Sequence, residues 1–167
     1  MTTAQVATKP AQTFFQADWS KYAECYDALM HLGPYRKLIT SVATDARFGP
    51  KGHILDASCG TGNFEKVFFD LEGHENSSVT AIDTSKEMLK RAEAKCSKIA
   101  GVTFHNMDLN EKLRFSGDTF SQVVSINTLY AVADPEATLR EFYRVLASQG
   151  KLLLVTPVFG FENGEIL

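Results

Sequence analysis

Between residues 54 and 64 the chain reads Ile54-Leu55-Asp56-Ala57-Ser58-Cys59-Gly60-Thr61-Gly62-Asn63-Phe64. The apolar start of this segment is typical of a buried strand, and an amphipathic segment follows its second glycine. Glycine is needed where a chain turns sharply or where the backbone approaches a ligand closely, because glycine has no Cβ. The segment therefore predicts a strand that leads into a helix through a glycine turn, although an ordinary tight turn would have the same pattern.

Apolar runs and amphipathic segments alternate along the rest of the chain. The apolar runs span residues 53–57, 79–82, 102–105, 122–126 and 151–156, and the amphipathic segments span 63–71, 85–99 and 135–146. Strands that alternate with helices predict a parallel sheet with helical crossovers, whereas the polar connection 106–120 predicts a loop. The expected fold class is α/β, with a doubly wound, mostly parallel sheet and helices on both of its faces.

The residues before this region predict a tail and two helices. We expect residues 1–17 to form a flexible tail, and apolar side chains at three- and four-residue spacing predict a helix over 18–32. A second helix is expected from Pro34 to about Arg47, before glycine and proline break the pattern at 49–52. These features predict N-terminal cap helices over 18–48 and a core domain over 49–167.

Composition and charge exclude several classes of protein. The 167 residues are 44% hydrophobic and 22% charged, which is too apolar for a disordered chain. A formal net charge of −3 gives no basic surface for a phosphate backbone, so we expect no nucleic-acid partner. The longest uncharged stretch, 119–133, is shorter than the roughly 18 apolar residues of a membrane span, so we expect no membrane partner.

The cysteines indicate neither a metal site nor a disulfide framework. Cys25, Cys59 and Cys96 are widely spaced, odd in number and form no CxxC pair. Free thiols in a reducing compartment are the simplest interpretation, so we expect a cytoplasmic protein without a metal ion. No catalytic base is assigned, because the four histidines are each interpreted as structural or solvent-exposed; they are His31, His53, His74 and His105.

Two acidic residues distinguish between ligand classes at the glycine turn. In the dinucleotide-binding pattern G-x-G-x-x-G the third glycine would fall at Glu65, where a carboxylate would repel a pyrophosphate. Asp56, four residues before Gly60, would also repel a diphosphate, but it suits the ammonium group of an amino-acid ligand. Phosphate binding is therefore disfavoured. A nicotinamide-linked oxidoreductase, which would bind a dinucleotide, is accordingly the least favoured of three functional hypotheses.

A further acid follows the second predicted strand. Asp83 comes 21 residues after Gly62, at the carboxyl end of a strand, where doubly wound sheets bind their ligands. Its carboxylate could accept hydrogen bonds from both hydroxyls of a ribose. Thr84 and Glu87 form a capping-box pattern, which predicts Thr84 as the N-cap of the next helix. The alternative is that Asp83 only helps to begin this helix.

Three segments together resemble the class I S-adenosylmethionine-dependent methyltransferases. Residues 55–62 resemble the loop L-D-x-G-C-G-T-G, residues 83–89 resemble D-x-S-x-x-M-L, and residues 127–146 resemble the family's fourth strand and following helix. The similarity, over about residues 18–157, is to the small-molecule branch near the ubiquinone/menaquinone C-methyltransferases, with a methyltransferase type 11-like core. It implies a Rossmann-like fold. Ser58 stands where the family usually has glycine, and residues 113–121 differ from its usual L-P-F-x-D-x-x-F-D.

The resemblance implies S-adenosyl-L-methionine as the cofactor and S-adenosyl-L-homocysteine as the product. In the family's arrangement the two glycines of the turn lie against the methionine part, and Asp56 orients its ammonium group. Asp83 would hold the ribose, Thr84 and Asp108 would contact the adenine, and Asn127 would lie near the transferring methyl. The expected cofactor-binding residues are Asp56, Ser58, Gly60, Gly62, Asp83, Thr84, Met88, Met107, Asp108, Leu109 and Asn127.

By the same resemblance the chain is expected to transfer a methyl group in line to a small-molecule acceptor. Tyr22, Tyr26 and Tyr130 are expected on the acceptor side, although packing of a helix face would explain them equally well. Residues 127–130 lack the N-P-P-Y signature of amino-methylating nucleic-acid enzymes.

The alternative function is a cofactor-binding or interaction module, a truncated or inactive methyltransferase fold without transferase activity. The family's fifth strand is followed by a helix and an antiparallel strand pair, for which residues 157–167 are too few. The sheet would therefore lack its last strand pair and leave the fifth strand exposed, and two copies of the chain could pair through that edge.

Overall fold

The fold is given by a computed structural model, which describes residues 18–46, 52–74 and 76–157. The expected tail over 1–17 lies outside the described residues, as does the expected boundary between residues 48 and 49. Along the described residues the elements follow in the order α1 (Trp19–Tyr22), a 3₁₀ helix (Tyr26–His31), α2 (Gly33–Asp45), β1 (His53–Ala57), α3 (Asn63–Asp70), β2 (Ser78–Asp83), α4 (Lys86–Lys95), β3 (Val102–Asn106), β4 (Phe120–Ile126), a 3₁₀ turn (Leu129–Ala131), α5 (Pro135–Val145) and β5 (Leu146–Val155).

The five strands form one parallel sheet in the order β3-β2-β1-β4-β5. This order confirms the predicted α/β fold, because two series of strands run outward from a central β1. The direction of winding changes between β1 and β4, where Asp56 pairs in register with Val124. In doubly wound sheets the crevice above the carboxyl ends of the strands at this change is where ligands bind.

Helices cover both faces of the sheet, and the alternation of side chains along β1 decides which residue faces which helices. Ile54 belongs to the apolar core beneath α2, α3 and α4, whereas Leu55 and Ala57 belong to the core beneath α5. Side chains alternate between the faces of a strand, so Asp56 lies on the same face as Ile54. The carboxyl of Asp56 is thereby directed toward α2 and α3.

The N-terminal helix predicted over residues 18–32 is wrong. The structure has a single turn, α1, followed by a separate 3₁₀ helix. Contacts to the core explain the break: Ser20 Oγ donates to Glu87 at 2.7 Å, and Asp27 accepts a hydrogen bond from Lys95 at 2.6 Å. These contacts hold each piece on the core separately. Tyr22, which the spacing places on the apolar face, is 45% exposed.

Among the described strands, β5 is one of the two edges of the sheet and β3 is the other. Leu152 and Leu154 on β5 are 37% and 38% exposed, which is unusual for leucines of a parallel sheet. Within the described residues, no helix combines the length and the apolar character needed to cross a membrane.

Candidate functional site

A cleft lies above the carboxyl ends of the strands, at the crevice between β1 and β4. It contains nine of the eleven residues expected to bind the cofactor, and these nine come from four separate segments of the chain. Its lining residues are Trp19, Tyr26, Ser58, Gly60, Asp83, Thr84, Met88, Met107, Asp108, Leu109, Asn110, Ile126, Asn127, Thr128, Ala131 and Val132. The structure therefore brings most of the expected cofactor-binding residues together in one cleft.

Asp83 connects the glycine turn to the start of α4. One carboxylate oxygen accepts the backbone N–H of Gly60 at 2.9 Å, and the other accepts that of Ser85 at 2.8 Å. Burial raises the pKa of Asp83, and the hydrogen bonds from these N–H groups oppose that rise. A carboxylate has about four acceptor positions, so two accepted bonds leave capacity for ligand hydroxyls.

The N-cap of α4 differs from the expected one. Ser85, not Thr84, caps the helix, with its Oγ accepting the backbone N–H of Met88 at 3.2 Å. Glu87 does not reach back to close a capping box but accepts a hydrogen bond from Ser20 on α1. Thr84 is left exposed at the rim of the cleft, where its side chain can contact a ligand.

The glycine turn has three residues in the left-handed region, Ser58 (φ 81°), Gly60 (φ 55°) and Gly62 (φ 79°). The backbone N–H groups of Ser58 and Cys59 both donate to the carbonyl oxygen of Ile82 at 2.9 Å, which fixes the turn on β2. A Cβ on Gly60 would lie 3.4 Å from the Tyr26 ring. Gly60 therefore allows the N-terminal segment to approach the turn closely.

Gly62 lines neither this cleft nor the smaller cavity described below. A Cβ at this position would lie 3.1 Å from both Cα and Cβ of Ala92 on α4. The family resemblance implies that Gly62 lies against the cofactor, whereas in the structure it is needed for close contact between the turn and α4.

Ser58 is a serine in a conformation that favours glycine, so we expect Ser58→Gly to stabilise the protein. Relief of the left-handed backbone is worth about 1–2 kcal/mol, and the added freedom of the unfolded chain offsets about 0.4–1 kcal/mol of it. Urea unfolding should show a net gain of about 0.5–1 kcal/mol. The matched control is Ser41→Gly, inside α2 and exposed, which should lose about 0.5–1 kcal/mol. A loss at both positions would contradict the strain at Ser58.

A smaller cavity continues from the cleft toward α2 and α3. Tyr26, Ser58 and Ile126 line both spaces, so the two are adjacent. The other residues around the smaller cavity are Tyr35, Ile39, Asp56, Cys59, Asn63 and Phe64. The structure thus places Asp56 in this side cavity and not in the main cleft, because its side chain is on the helix-covered face of β1.

Two carboxyl groups meet beneath the glycine turn. Asp56 is 2% exposed and Glu65, in the first turn of α3, is fully buried. Burial raises the pKa of Asp56, and the neighbouring carboxyl of Glu65 raises it further. Burial is also the main reason why the pKa of Glu65 is raised. From the sequence, Glu65 is only an argument against the binding of a pyrophosphate. The contact of Glu65 with Asp56 depends on the packing of α3 on β1, which the sequence pattern does not show.

The side of the cleft near β3 is held by an amide network. Asn106 Nδ2 donates to the carbonyl oxygens of Asp83 and Thr84, both at 2.9 Å. Asp108 Oδ1 accepts from the backbone N–H and the side-chain amide of Asn110, both at 2.8 Å. Asn110 Oδ1 in turn accepts the backbone N–H of Ala133 at 2.7 Å. Asp108 thus stands in an ordered loop, in which Asn110 is a lining residue that the sequence pattern missed.

Of the three tyrosines expected on the acceptor side, the structure places only Tyr26 in the cleft. Burial and the nearby Tyr35 raise the pKa of Tyr26, so its phenol stays protonated at neutral pH. Tyr22 lies outside, with its ring 6.0 Å from that of Trp19. Tyr130 is half-buried but lines neither cavity, although it is close enough to Tyr26 to affect its pKa. Trp19, missed from sequence, lines the cleft instead.

Lys95 joins the N-terminal segment to the glycine turn. Its Nζ donates to Asp27 Oδ1 at 2.6 Å, to Asn63 Oδ1 at 2.5 Å and to Thr61 Oγ1 at 3.2 Å. Burial alone would raise the pKa of Asp27, but hydrogen bonds from Lys95 and Thr61 outweigh it and hold this pKa below its ordinary value. The 3₁₀ helix is therefore fixed over the site by a charged contact.

Comparisons with known proteins agree with this geometry. A family model described as a methyltransferase domain matches residues 49–164. YqeM of Bacillus subtilis (strain 168), assigned by name to the methyltransferases, is 35% identical over 135 residues, which are 79% of this chain and 52% of YqeM. The ubiquinone/menaquinone biosynthesis C-methyltransferase UbiE of Cronobacter sakazakii (strain ATCC BAA-894) is 34% identical over 162 residues, which are 93% of this chain and 62% of UbiE.

The fold comparison gives the same result. A solved structure from Methanococcus maripaludis, assigned as an S-adenosyl-L-methionine-dependent methyltransferase, superposes with a TM-score of 0.68 at 20% identity, over 87% of this chain and 65% of that one. The chain spans about half the length of the first curated relatives that it matches. The match over residues 49–164 shows that the chain belongs to the methyltransferase-domain family, and its fold is that of the S-adenosylmethionine-dependent members.

Proposed function

We propose that this chain binds S-adenosyl-L-methionine and transfers its methyl group to a small-molecule acceptor. The observation that carries the proposal is the cleft itself, which brings together nine residues from the family's motifs, Asp83 among them, at the change of winding. The methyl group of the cofactor is activated by its sulfonium. The main task of the protein is therefore to hold cofactor and acceptor in line at near-attack distance.

The described residues supply the binding groups for this cofactor. Asp83 would accept the ribose hydroxyls, Asp108 the adenine amino group, and the backbone N–H of Leu109 would donate to the adenine ring. Asp56 would face the ammonium group from the side cavity. Asn63 has a buried Nδ2 there that makes no hydrogen bond of ordinary geometry, although it is close enough to Tyr35 to lower the pKa of that phenol. This amide would donate to the carboxylate of the methionine part.

The acceptor is proposed to be small and uncharged. The charged side chains that line the cleft among the described residues are Asp83 and Asp108, and both are used by the adenosine part. Trp19, Tyr26 and Val132 offer aromatic and apolar surface beside Asn127. The acidic lining and the formal charge of −3 would repel a nucleic-acid backbone. The similarity to UbiE, a C-methyltransferase of quinone biosynthesis, supports a small-molecule acceptor.

Binding of S-adenosylhomocysteine, followed by isothermal titration calorimetry, tests the first half of the proposal. We expect micromolar affinity. The absence of any heat of binding at millimolar ligand would refute the proposal that the chain binds this cofactor. The second half needs a radiolabelled methyl group and a panel of phenols, quinols, amines and thiols. Binding of the cofactor without methyl transfer to any acceptor would favour the alternative of a binding module.

Three further features remain part of the proposal. The division into cap helices over 18–48 and a core over 49–167 follows the sequence pattern. A cytoplasmic location is supported by the three free thiols, of which two are buried. Pairing of two copies through β5 is supported by the exposure of Leu152 and Leu154, and light scattering at high concentration would detect it.

A further inference from the structure

Among the residues that the structure describes, no cation forms an ion pair with the buried carboxyls of Asp56 and Glu65. By ordinary hydrogen-bond geometry neither oxygen of Glu65 has a partner among the described residues. The groups near enough to influence Glu65 by hydrogen bonding are the Asp56 carboxyl and the backbone N–H of Glu65 itself. Two carboxylates cannot donate to each other, so contact between these carboxyls is favourable only if one of them carries a proton.

The charged and titratable groups around the pair do not compensate two negative charges. Asp83 from β2 adds negative charge, and the field of the N-terminus of α3 partly offsets it. Lys95 from α4 is the nearby cation, but its Nζ is hydrogen-bonded to Asp27, Asn63 and Thr61. The remaining groups are neutral; they are Tyr26, Tyr35, Cys59 and Cys96. A doubly ionised pair would therefore be under-compensated in a water-excluded site.

A ligand group in the side cavity would contact this pair through Asp56. Asp56 lines the cavity, and so does Asn63, which is 6% exposed and has its Nδ2 without a hydrogen bond of ordinary geometry. An acid and an amide donor around one small cavity complement the ammonium and the carboxylate of an amino acid. The cavity adjoins the adenosine cleft, so an amino-acid group joined to adenosine could occupy both.

We propose that Asp56 and Glu65 share a proton in the ligand-free protein and release it to solvent when an amino-acid ammonium group enters the side cavity. This inference rests on the proposed function and extends it, because it makes Glu65 a positioning residue that acts through Asp56. The positive charge of the ammonium replaces the proton between the carboxyls. Binding is then coupled to the loss of about one proton for each ligand molecule.

The coupling has a definite sign. Burial raises the pKa of both acids, that of Glu65 to about 7, and the Glu65 carboxyl raises the pKa of Asp56 further. An acid whose pKa is raised by folding stabilises the free protein below its unfolded pKa, and this stability is lost as the pH rises through the folded value. Ammonium binding favours the ionised pair, so ligand affinity increases over the same range and levels off above it. Where one full proton is released, the dissociation constant falls about tenfold per pH unit.

Calorimetry in buffers of different ionisation enthalpy counts the protons directly. At pH 6.5 we expect S-adenosylhomocysteine to release about one proton from the wild-type protein. 5′-Methylthioadenosine has the same adenosine part but no amino-acid group, and it should release none. Equal proton release by the two ligands would place the proton at Asp83 or another group of the cleft and would overturn the proposal.

Glu65→Gln provides the second arm of the test. Its amide can donate to Asp56, which should stay ionised, so proton release on binding should disappear and affinity should vary less than twofold between pH 6 and 8. The matched control is Glu93→Gln on the exposed face of α4, which should keep the wild-type proton release. Circular dichroism establishes that each variant is folded before titration.

The outcomes separate this inference from the proposed function. If S-adenosylhomocysteine does not bind the wild-type protein at all, the proposed function fails. If it binds with a pH-independent affinity and releases no proton in any buffer, the proposed function stands and the shared proton is refuted. The wild-type buffer series decides between these results even if Glu65→Gln does not fold.

Discussion

Replacing Asp83 by alanine is expected to weaken the binding of S-adenosylhomocysteine by about 100-fold. Hydrogen bonds to a charged group are worth about 1.5–3 kcal/mol each, and 100-fold corresponds to about 2.7 kcal/mol. The carboxylate also accepts the N–H groups of Gly60 and Ser85, so its loss loosens the turn that carries the ligand. Titration calorimetry in two buffers of different ionisation enthalpy measures this effect separately from any proton coupling at the Asp56 and Glu65 pair.

Two variants show whether the carboxylate acts on the ribose or only on the turn. Asp83→Asn keeps one acceptor without the charge, so its loss of affinity should be intermediate, about tenfold. Asp45→Asn, at the exposed end of α2, should bind as the wild type does. A ligand analogue without the ribose hydroxyls should bind the wild type much more weakly. The affinity of Asp83→Ala for this analogue should be only slightly lower than that of the wild type. Additive losses would assign Asp83 to the turn alone.

The sequence predicted those parts of the fold in which apolar residues form continuous runs or recur at a regular spacing. The strand predicted over 53–57 matches β1, and α3 and α5 differ from their predicted ranges by one residue at the C-terminal end. β5 is longer than predicted at its N-terminal end, where only Leu146 pairs with β4 before a break in register. Buried strands of parallel sheets carry continuous apolar runs, so their sequence signal is strong.

The parts that the sequence did not predict depend on contacts between distant segments. The helix over 18–32 is broken by Ser20 and Asp27, whose partners on α4 lie more than sixty residues away. Local spacing contains no information about such partners, and tertiary contacts override it. Trp19 and Asn63 were missed as site residues for the same reason, since their roles arise only where the N-terminal segment and α3 pack beside β1.

The two glycines of the turn illustrate the same limit at a single motif. The pattern correctly required glycine at both positions, because both have a positive φ. It did not distinguish approach to a ligand from approach to protein. In the structure Gly60 lines the cleft and lies against Tyr26, whereas Gly62 lies against α4. A motif of this kind therefore predicts the backbone conformation more reliably than the identity of the neighbour.

Gly62→Ala is expected to lower the free energy of unfolding by about 2–4 kcal/mol. The left-handed backbone at φ 79° costs alanine about 1 kcal/mol, and the new Cβ would lie 3.1 Å from Cα and Cβ of Ala92. Such a Cβ forces α3 and α4 apart. The melting temperature of a protein of this size should fall by about 10 °C. Urea unfolding and differential scanning calorimetry measure the two quantities.

Gly73→Ala separates backbone strain from steric overlap in this prediction. Gly73 has a φ of 89°, and a Cβ there would meet no atom within 4 Å, so only the strain of about 1 kcal/mol is expected. The excess loss at Gly62 is therefore the cost of the contact with α4. Ala92→Gly in the Gly62→Ala background should recover part of that excess, since it removes one of the two close atoms. If the losses at Gly62 and Gly73 were equal, no excess would remain for the contact with α4. Such a result would show that the turn can move away from α4 and that packing does not require glycine at position 62.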